Sequence, residues 1–257
     1  MPQSRKELTA RSVLASTLLG MQPPRLPTRL LVSSGCLFGI AEGATRVAIS
    51  RMVAAGELEP DGDGYRLAGA LLARQARQEA SRRPPARRWT GDWRIAVVRS
   101  ERRPAGARAE LREAMRRLHL AERRDGVWLR PDNLPDDRVP DALAVVDAQC
   151  EWLRGRPDGD ATTLAASLWD LDGWARDAEA LRAEMADHLP VLEAGGTEGL
   201  APGFVLDAAV VRHLLADPLL PGALLPARWP GGDLRHDFER YDRAYKDVWR
   251  AWFRAQR

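Results

Sequence analysis

Cysteine is nearly missing from the 257-residue chain, with Cys36 and Cys150 the only two. Two thiols so far apart in sequence build neither a disulfide framework nor a cysteine-based zinc site. Histidine is scarce, and His119, His188, His213 and His236 are dispersed without HxxxH spacing. No apolar run approaches the roughly 18–20 residues of a membrane span, and Met1 to Arg11 lacks the charged-then-apolar layout of a secretory signal. These absences predict a soluble, cytoplasmic protein of a reducing compartment, with no metal and no membrane partner. What is present suffices for real cores: 45% of residues are hydrophobic and nine are Trp, which excludes a wholly disordered chain. The length predicts about two domains at roughly 100–200 residues each, three small ones also fitting.

Lysine is almost absent too. Only Lys6 and Lys246 occur, so nearly all positive charge is arginine, whose planar fork matches phosphate and guanine edges. The net charge of +3 hides an asymmetry. Residues 1–135 hold 25 Lys+Arg and 14 Asp+Glu, a net of +11, and residues 136–257 hold 14 and 22, a net of −8. A GC-rich genome would enrich Arg, Ala, Gly and Pro together, but it does not account for that segregation. A basic half joined to an acidic half predicts that the first half meets a polyanion.

Along the chain, residues 9–20 read as a helix with Val13, Leu14, Thr17 and Leu18 on one face, stopped by Pro23-Pro24. A second helix is expected from Pro27, a residue suited to a first helical position, to Gly39. A third spans Ala44 to Ala55 and is closed by Gly56. Leu58 to Leu67 reads as two short extended arms around Asp61-Gly62-Asp63-Gly64, a hairpin signal. Three helices and a hairpin are the layout of a winged helix-turn-helix. A helix over Ala70 to Arg83 follows, then a basic Pro-Pro linker at Arg82 to Arg88. The middle of the chain predicts a strand at Trp93 to Val98, a helix over Gly106 to Leu120 and a strand at Val127 to Arg130. Leu143 to Val146 is apolar but of undecided type, and Cys150 to Leu153 reads as a last strand. The sum is a small α+β domain. From Thr163 the spacing turns helical, with further helices at Pro202–Leu215 and Leu234–Arg254.

In the third helix Thr45, Ala48, Ile49 and Met52 form one apolar stripe. Arg46, Val47, Ser50 and Arg51 then face solvent. Two arginines, a hydroxyl and an exposed methyl suit a major groove: arginine bridges guanine O6 and N7, and Val47 can touch a thymine methyl. Tyr65 and Arg66 on the hairpin would lie near the sugar–phosphate backbone or minor groove, while Asp61 and Asp63 at its tip would repel phosphate. The plainer reading of all these residues is solvated charge on a three-helix bundle.

The chain resembles the PaaX family of bacterial transcriptional repressors. The resemblance rests on Thr9-Ala10-Arg11-Ser12, Arg46 to Val53 (RVAISRMV), Gly56-Glu57-Leu58, Trp93-Arg94 and Gly126-Val127-Trp128-Leu129 with Pro131 to Leu134. It continues through Leu168 to Leu171 and Leu224-Leu225-Pro226 with Trp229-Pro230-Gly231. It implies a winged-helix DNA reader over 1–83, a central ferredoxin-like (Cas2-like) domain over 89–157 and a helical C-terminal domain over 160–257. It also implies a homodimeric, non-enzymatic repressor on a double-stranded DNA operator of aromatic-acid catabolism. Its release would follow from an aryl-CoA thioester effector such as phenylacetyl-CoA. The phosphates of an acyl-CoA need arginines, and Arg99, Arg102, Arg103, Arg123 and Arg124 cluster in the middle segment. The alternative is a non-catalytic RNA- or protein-binding adaptor with a basic N-terminal half. A phosphodiesterase of the Cas2 type is a third reading, opposed by Val97-Val98-Arg99-Ser100, where the first central strand ends without an acid. Asp170 is expected to cap a helix start, and Trp89, Trp93, Trp128, Trp152, Trp169 and Trp174 to build cores.

Overall fold

In the computed structural model, which describes residues 8–84, 86–100 and 104–256, Thr9 opens the first helix. Its hydroxyl accepts the Ser12 N–H at 3.1 Å, an N-cap that satisfies one of the orphan donors of α1, Ala10–Leu19. Strand β1, Arg25–Pro27, leads into α2, Thr28–Leu37, and α3, Glu42–Ala54. Gly56, at φ +67°, ends α3 in the left-handed conformation that glycine adopts at no steric cost. The hairpin of β2, Leu58–Asp61, and β3, Gly64–Leu67, joins β1 in a three-stranded antiparallel sheet of order β1-β3-β2. Gly64 allows that closure, because a Cβ there would overlap the Leu26 carbonyl. Helix α4, Gly69–Arg82, follows.

The middle segment runs β4, Trp93–Val98; α5, Ala105–Arg117; β5, Ala121–Arg124; β6, Val127–Pro131; α6, Pro140–Gln149; and β7, Cys150–Gly155. Its antiparallel sheet has the order β5-β6-β4-β7. Successive side chains of a strand point to opposite faces. Ala96 and Trp128 accordingly pack with Leu111, Met115, Ala142 and Val146 of α5 and α6, whereas Trp93 and Leu129 pack with Ala165, Leu171, Leu220 and Leu224. Helix α7, Ala161–Leu168, supplies part of that second cover. Both faces are covered, which is why Trp93 to Val98 shows no apolar–polar alternation, and its one charged residue, Arg94, lies over the Trp152 ring.

Helix α8, Leu171–Glu193, α9, Leu200–Leu215, and α10, Gly231–Ala255, complete the chain. The chain forms two compact units, one of residues 1–82, 178–215 and 231–257, the other of 83–177 and 216–230. In the first unit Phe38, just past α2, meets Phe204 of α9 edge-on at 5.0 Å and stacks at 6.3 Å on Trp249 of α10. Arg82 closes α4 onto α10 through its ion pair with Asp242 at 2.8 Å.

The mixed α+β class and the helical C-terminal part agree with the sequence pattern. Two strands were not expected. Arg25–Pro27 stands where a turn and a helix start are read, and Ala121–Arg124 buries Ala121 alone, so it carries no alternation. The helix expected to Leu120 ends at Arg117, since His119 takes a φ of +59° that breaks it. The undecided Leu143 to Val146 belongs to a helix with Pro140 in its first turn. Asp170 does cap α8, its carboxylate accepting the Gly173 N–H at 2.9 Å. Trp93, Trp128 and Trp174 are buried, and Trp89 and Trp169 pack against the Trp93 cluster. Among the described residues, no helix is long and apolar enough to cross a membrane.

Candidate nucleic-acid interface

Helix α3 buries the stripe its spacing predicts: Thr45, Ala48, Ile49 and Met52 face the core. Its placement is set where it crosses α2. Gly35 of α2 lies so close that a Cβ would overlap the Thr45 hydroxyl and lie 3.0 Å from its methyl. Thr45 Oγ1 in turn donates to the Ala41 carbonyl at 3.2 Å, so it has no spare freedom to yield.

The opposite face is open. Arg46, Val47, Ser50 and Arg51 are all exposed, Val47 by 51%. An exposed large aliphatic side chain in a row of polar ones gains nothing from packing inside the unit. Arg46 is held along the helix by Glu42, with both its Nε and Nη2 donating to Oε1 at 2.9 and 2.7 Å. Ser50 Oγ donates to the Arg46 carbonyl at 3.2 Å, which leaves its lone pairs outward. Arg51 makes no ion pair among the described residues.

Beside this face runs an open cleft of ≈640 Å³ between the start of α1 and α3, lined by Arg11, Val47, Arg51, Met52 and Glu57 among others. Arg11 Nε donates to Glu57 Oε2 at 2.9 Å. That bond and the guanidinium charge hold the Glu57 carboxyl below the usual carboxylate range. Arg11 was not predicted as a site residue, although it lies inside the Thr9 to Ser12 segment that carries the resemblance.

The hairpin residues have partners within their own sheet. Arg66 is engaged by Glu59 across the β2–β3 pair at 2.6 Å. Tyr65 is half-buried, paired in register with Leu26 and Pro60. The acidic tip is covered by the unpredicted strand: Arg25 Nη2 donates to the Asp61 carbonyl and to Asp63 Oδ1, each at 3.2 Å, and its Nε lies 3.2 Å from Asp61 Oδ2. The tip is thus less repulsive to phosphate than Asp61 and Asp63 suggest alone.

The middle-segment arginines are only partly brought together. Arg99 follows β4 and Arg124 ends β5, and both lie at the Gly126 end of the sheet, where Val98 N–H donates to the Gly126 carbonyl. Arg123 donates to Ser167 Oγ at 3.4 Å. Arg102 and Arg103 lie outside the described residues. The charge segregation read along the chain also dissolves in three dimensions. The first unit carries 20 Lys+Arg and 18 Asp+Glu, the second 19 and 18, so the units differ by a single charge. Any polyanion site is a matter of local faces.

Comparison with known proteins adds three findings. The family described as PaaX-like protein matches residues 9–71, and the PaaX-like protein C-terminal domain matches residues 169–255. A solved structure of an uncharacterized protein, Rv0674 from Mycobacterium tuberculosis, is similar with 42% sequence identity and a TM-score of 0.74, over 95% of this chain and 98% of that one. No protein in the curated collection matches the chain.

Proposed function

The chain belongs to the PaaX-like family, and on that premise we propose that it is a sequence-specific, double-stranded-DNA-binding transcriptional repressor. The observation that carries this reading is the outward face of α3, with Arg46, Val47, Ser50 and Arg51 exposed on a helix whose opposite stripe is locked into the core. Helix order α1-β1-α2-α3 followed by a hairpin that pairs with β1 supports a winged helix-turn-helix, α3 being the helix that enters the major groove. The β-α-β-β-α-β order of the middle segment, with its sheet order β5-β6-β4-β7, supports a ferredoxin-like, Cas2-like fold. In this protein it is a scaffold and not an enzyme.

Each subunit of a homodimer reads one half of a palindromic operator, and the dimer fixes the half-site spacing. The regulated genes belong to aromatic-acid catabolism of the phenylacetate type. The effector is an acyl-CoA thioester such as phenylacetyl-CoA, with Arg99, Arg102, Arg103, Arg123 and Arg124 as candidates for its phosphates. It releases the operator by binding better to the arrangement of the protein that cannot span both half-sites.

The test is a titration of the full chain against duplexes selected from random sequence by the protein itself. Arg46→Ala or Arg51→Ala is expected to cost about 1–3 kcal/mol on the selected duplex and to relax preference at one or two positions. A wild-type protein that selects no duplex sequence sinks the repressor reading. Binding to single strands alone would favour the RNA- or protein-binding adaptor.

A further inference from the structure

A second cationic feature lies away from the outward face of α3. Helix α4 packs against both α1 and α9 within the first unit. Its position is fixed by Gln75, a buried amide whose Nε2 donates to the Leu19 and Met21 carbonyls at 2.9 and 3.0 Å. Arg74 and Arg77 are three residues apart, which places them on one flank of that helix. Arg212 lies in the last turn of α9 and Arg11 in the first turn of α1.

Arg11 is paired with Glu57, whereas the other three differ from most ion-paired arginines of the unit. Arg25, Arg46, Arg66 and Arg82 each have a carboxylate partner. Arg74, Arg77 and Arg212 have none among the described residues. Arg74 is exposed overall, and partial burial first, then the positive charges of Arg11, Arg77 and Arg212, lower its pKa. Of these neighbouring cations, Arg11 is itself paired with Glu57, and Arg77 and Arg212 have no carboxylate partner among the described residues. A group of arginines without carboxylate partners favours a bound anion. The dipole at the C-terminus of α9 accounts for Arg212 alone and gives no reason for Arg74 or Arg77.

We propose that Arg74, Arg77 and Arg212, together with Arg11, grip the phosphate backbone of the duplex that α3 reads. Duplex backbone is the occupant because the cluster is continuous with the α3 face. Arg11 stands in the first turn of α1, which packs against α4, and it lines the cleft that holds Val47 and Arg51. Exposed and half-buried arginines carried by three helices, with α4 packed against both others, suit contacts to phosphates. The consequence is that α9, inside the segment matched by the C-terminal family domain, shares the DNA footprint with the N-terminal helices. The inference rests on the duplex-binding reading above and extends it to a different set of residues.

The experiment measures binding of the full chain to random-sequence duplex over a range of salt concentrations. Arg212→Gln is expected to reduce the slope of log affinity against log salt by ~0.9, and the triple variant Arg74→Gln/Arg77→Gln/Arg212→Gln by roughly three times that. Arg212→Lys, which keeps the charge and the favourable helix end, is expected to retain the wild-type slope. This separates lost phosphate contact from lost folding. Wild-type slopes in all variants, while Arg46→Ala and Arg51→Ala still weaken duplex binding, overturn this inference and leave the repressor reading intact. A wild-type protein that binds no duplex overturns both. A triple variant with an unchanged DNA slope that has lost a thermal shift given by coenzyme A would assign the cluster to a soluble phosphate ligand and overturn the proposal as well.

Discussion

Arg46, proposed above as a base contact, is held in a defined position on α3. It is tethered to Glu42 one turn back, with both side chains more than half exposed. An exposed i,i+4 pair of this kind contributes only about 0.3–0.5 kcal/mol. It orients the guanidinium along α3 at small cost to its release. Glu42→Gln removes both the tether and a negative charge from the face proposed to meet the duplex. Anisotropy titrations are expected to show affinity rising by at least that roughly 0.3–0.5 kcal/mol on selected and random duplexes alike. The melting temperature should fall slightly, because Glu42 also favours the N-terminus of its helix. A weaker complex would mean that the tether is needed for the bound geometry.

Asp207 of α9 answers to a different force. Burial, with the negative charge of Asp242, pushes its carboxyl up to about 7, although Arg82 and Lys246 pull the other way. Asp207 is half-buried and Asp242 buried, but the bonds of Asp242 to Arg82 and Lys246 at 2.8 Å outweigh its burial and hold it below the usual range. The signs are opposite. The raised Asp207 contributes stability that is full below about pH 4, its unfolded range, and is lost as pH rises through about 7. The depressed Asp242 contributes above its unfolded value and is lost as pH falls through its folded one. Asp207→Asn is therefore expected to melt above the wild type at pH 8, by roughly 1–3 kcal/mol, with the gap closing towards pH 4. A gap that stays constant with pH would show that Asp207 does not titrate in this window. Neither acid stands out in the sequence, because burial and a partner more than a hundred positions away are invisible to local spacing.

Among the elements, α3 was legible because its stripe repeats with the helical period and its C-terminus carries a glycine. The crossing that aims it was not legible. Nothing in Thr28 to Leu37 marks Gly35 as the point where α2 touches Thr45, since the contact is set by two helices meeting and not by either alone. Gly35→Ala forces a methyl into a β-branched neighbour that is fully buried and bonded to Ala41. Overpacking of this kind costs about 1–3 kcal/mol. Thermal melting should show that loss. Duplex affinity measured well below the new melting temperature should also fall, because α3 has to tilt. Unchanged affinity in a destabilised protein would separate the aim of α3 from its packing on α2. Strand β1 was missed for a related reason. Three residues bracketed by prolines give no alternation, and the pairing of Arg25 with Arg66 and of Leu26 with Tyr65 is supplied by a hairpin some forty residues later. With β1 unseen, Arg25 could not be placed over Asp61 and Asp63.

For the whole molecule, the sequence order of charge and of segments is a poor guide to what folds together. The split into a basic half and an acidic half vanishes when the chain is divided by compactness, because residues 178–215 and 231–257 return to the unit begun by 1–82. That return has a physical consequence for the fragment 1–83 suggested by the Pro-Pro linker. Within the full chain, Phe38 is covered by Phe204 and Trp249, Arg82 is paired with Asp242 and lies 4.6 Å from the Phe238 ring, and the Ser81 carbonyl accepts Arg235 Nε at 3.1 Å. All of these partners are missing from the fragment. Exposing one large aromatic costs about 1.5–3 kcal/mol, and a domain of this size has little stability in reserve. The fragment is expected to melt well below the full chain, with a broad transition by circular dichroism and binding of a hydrophobic dye. It should also lose the part of the duplex salt dependence assigned to Arg212. A fragment that melts as sharply and as high as the full chain would show that 1–82 folds independently, and that the return of the C-terminal helices adds contacts without adding stability.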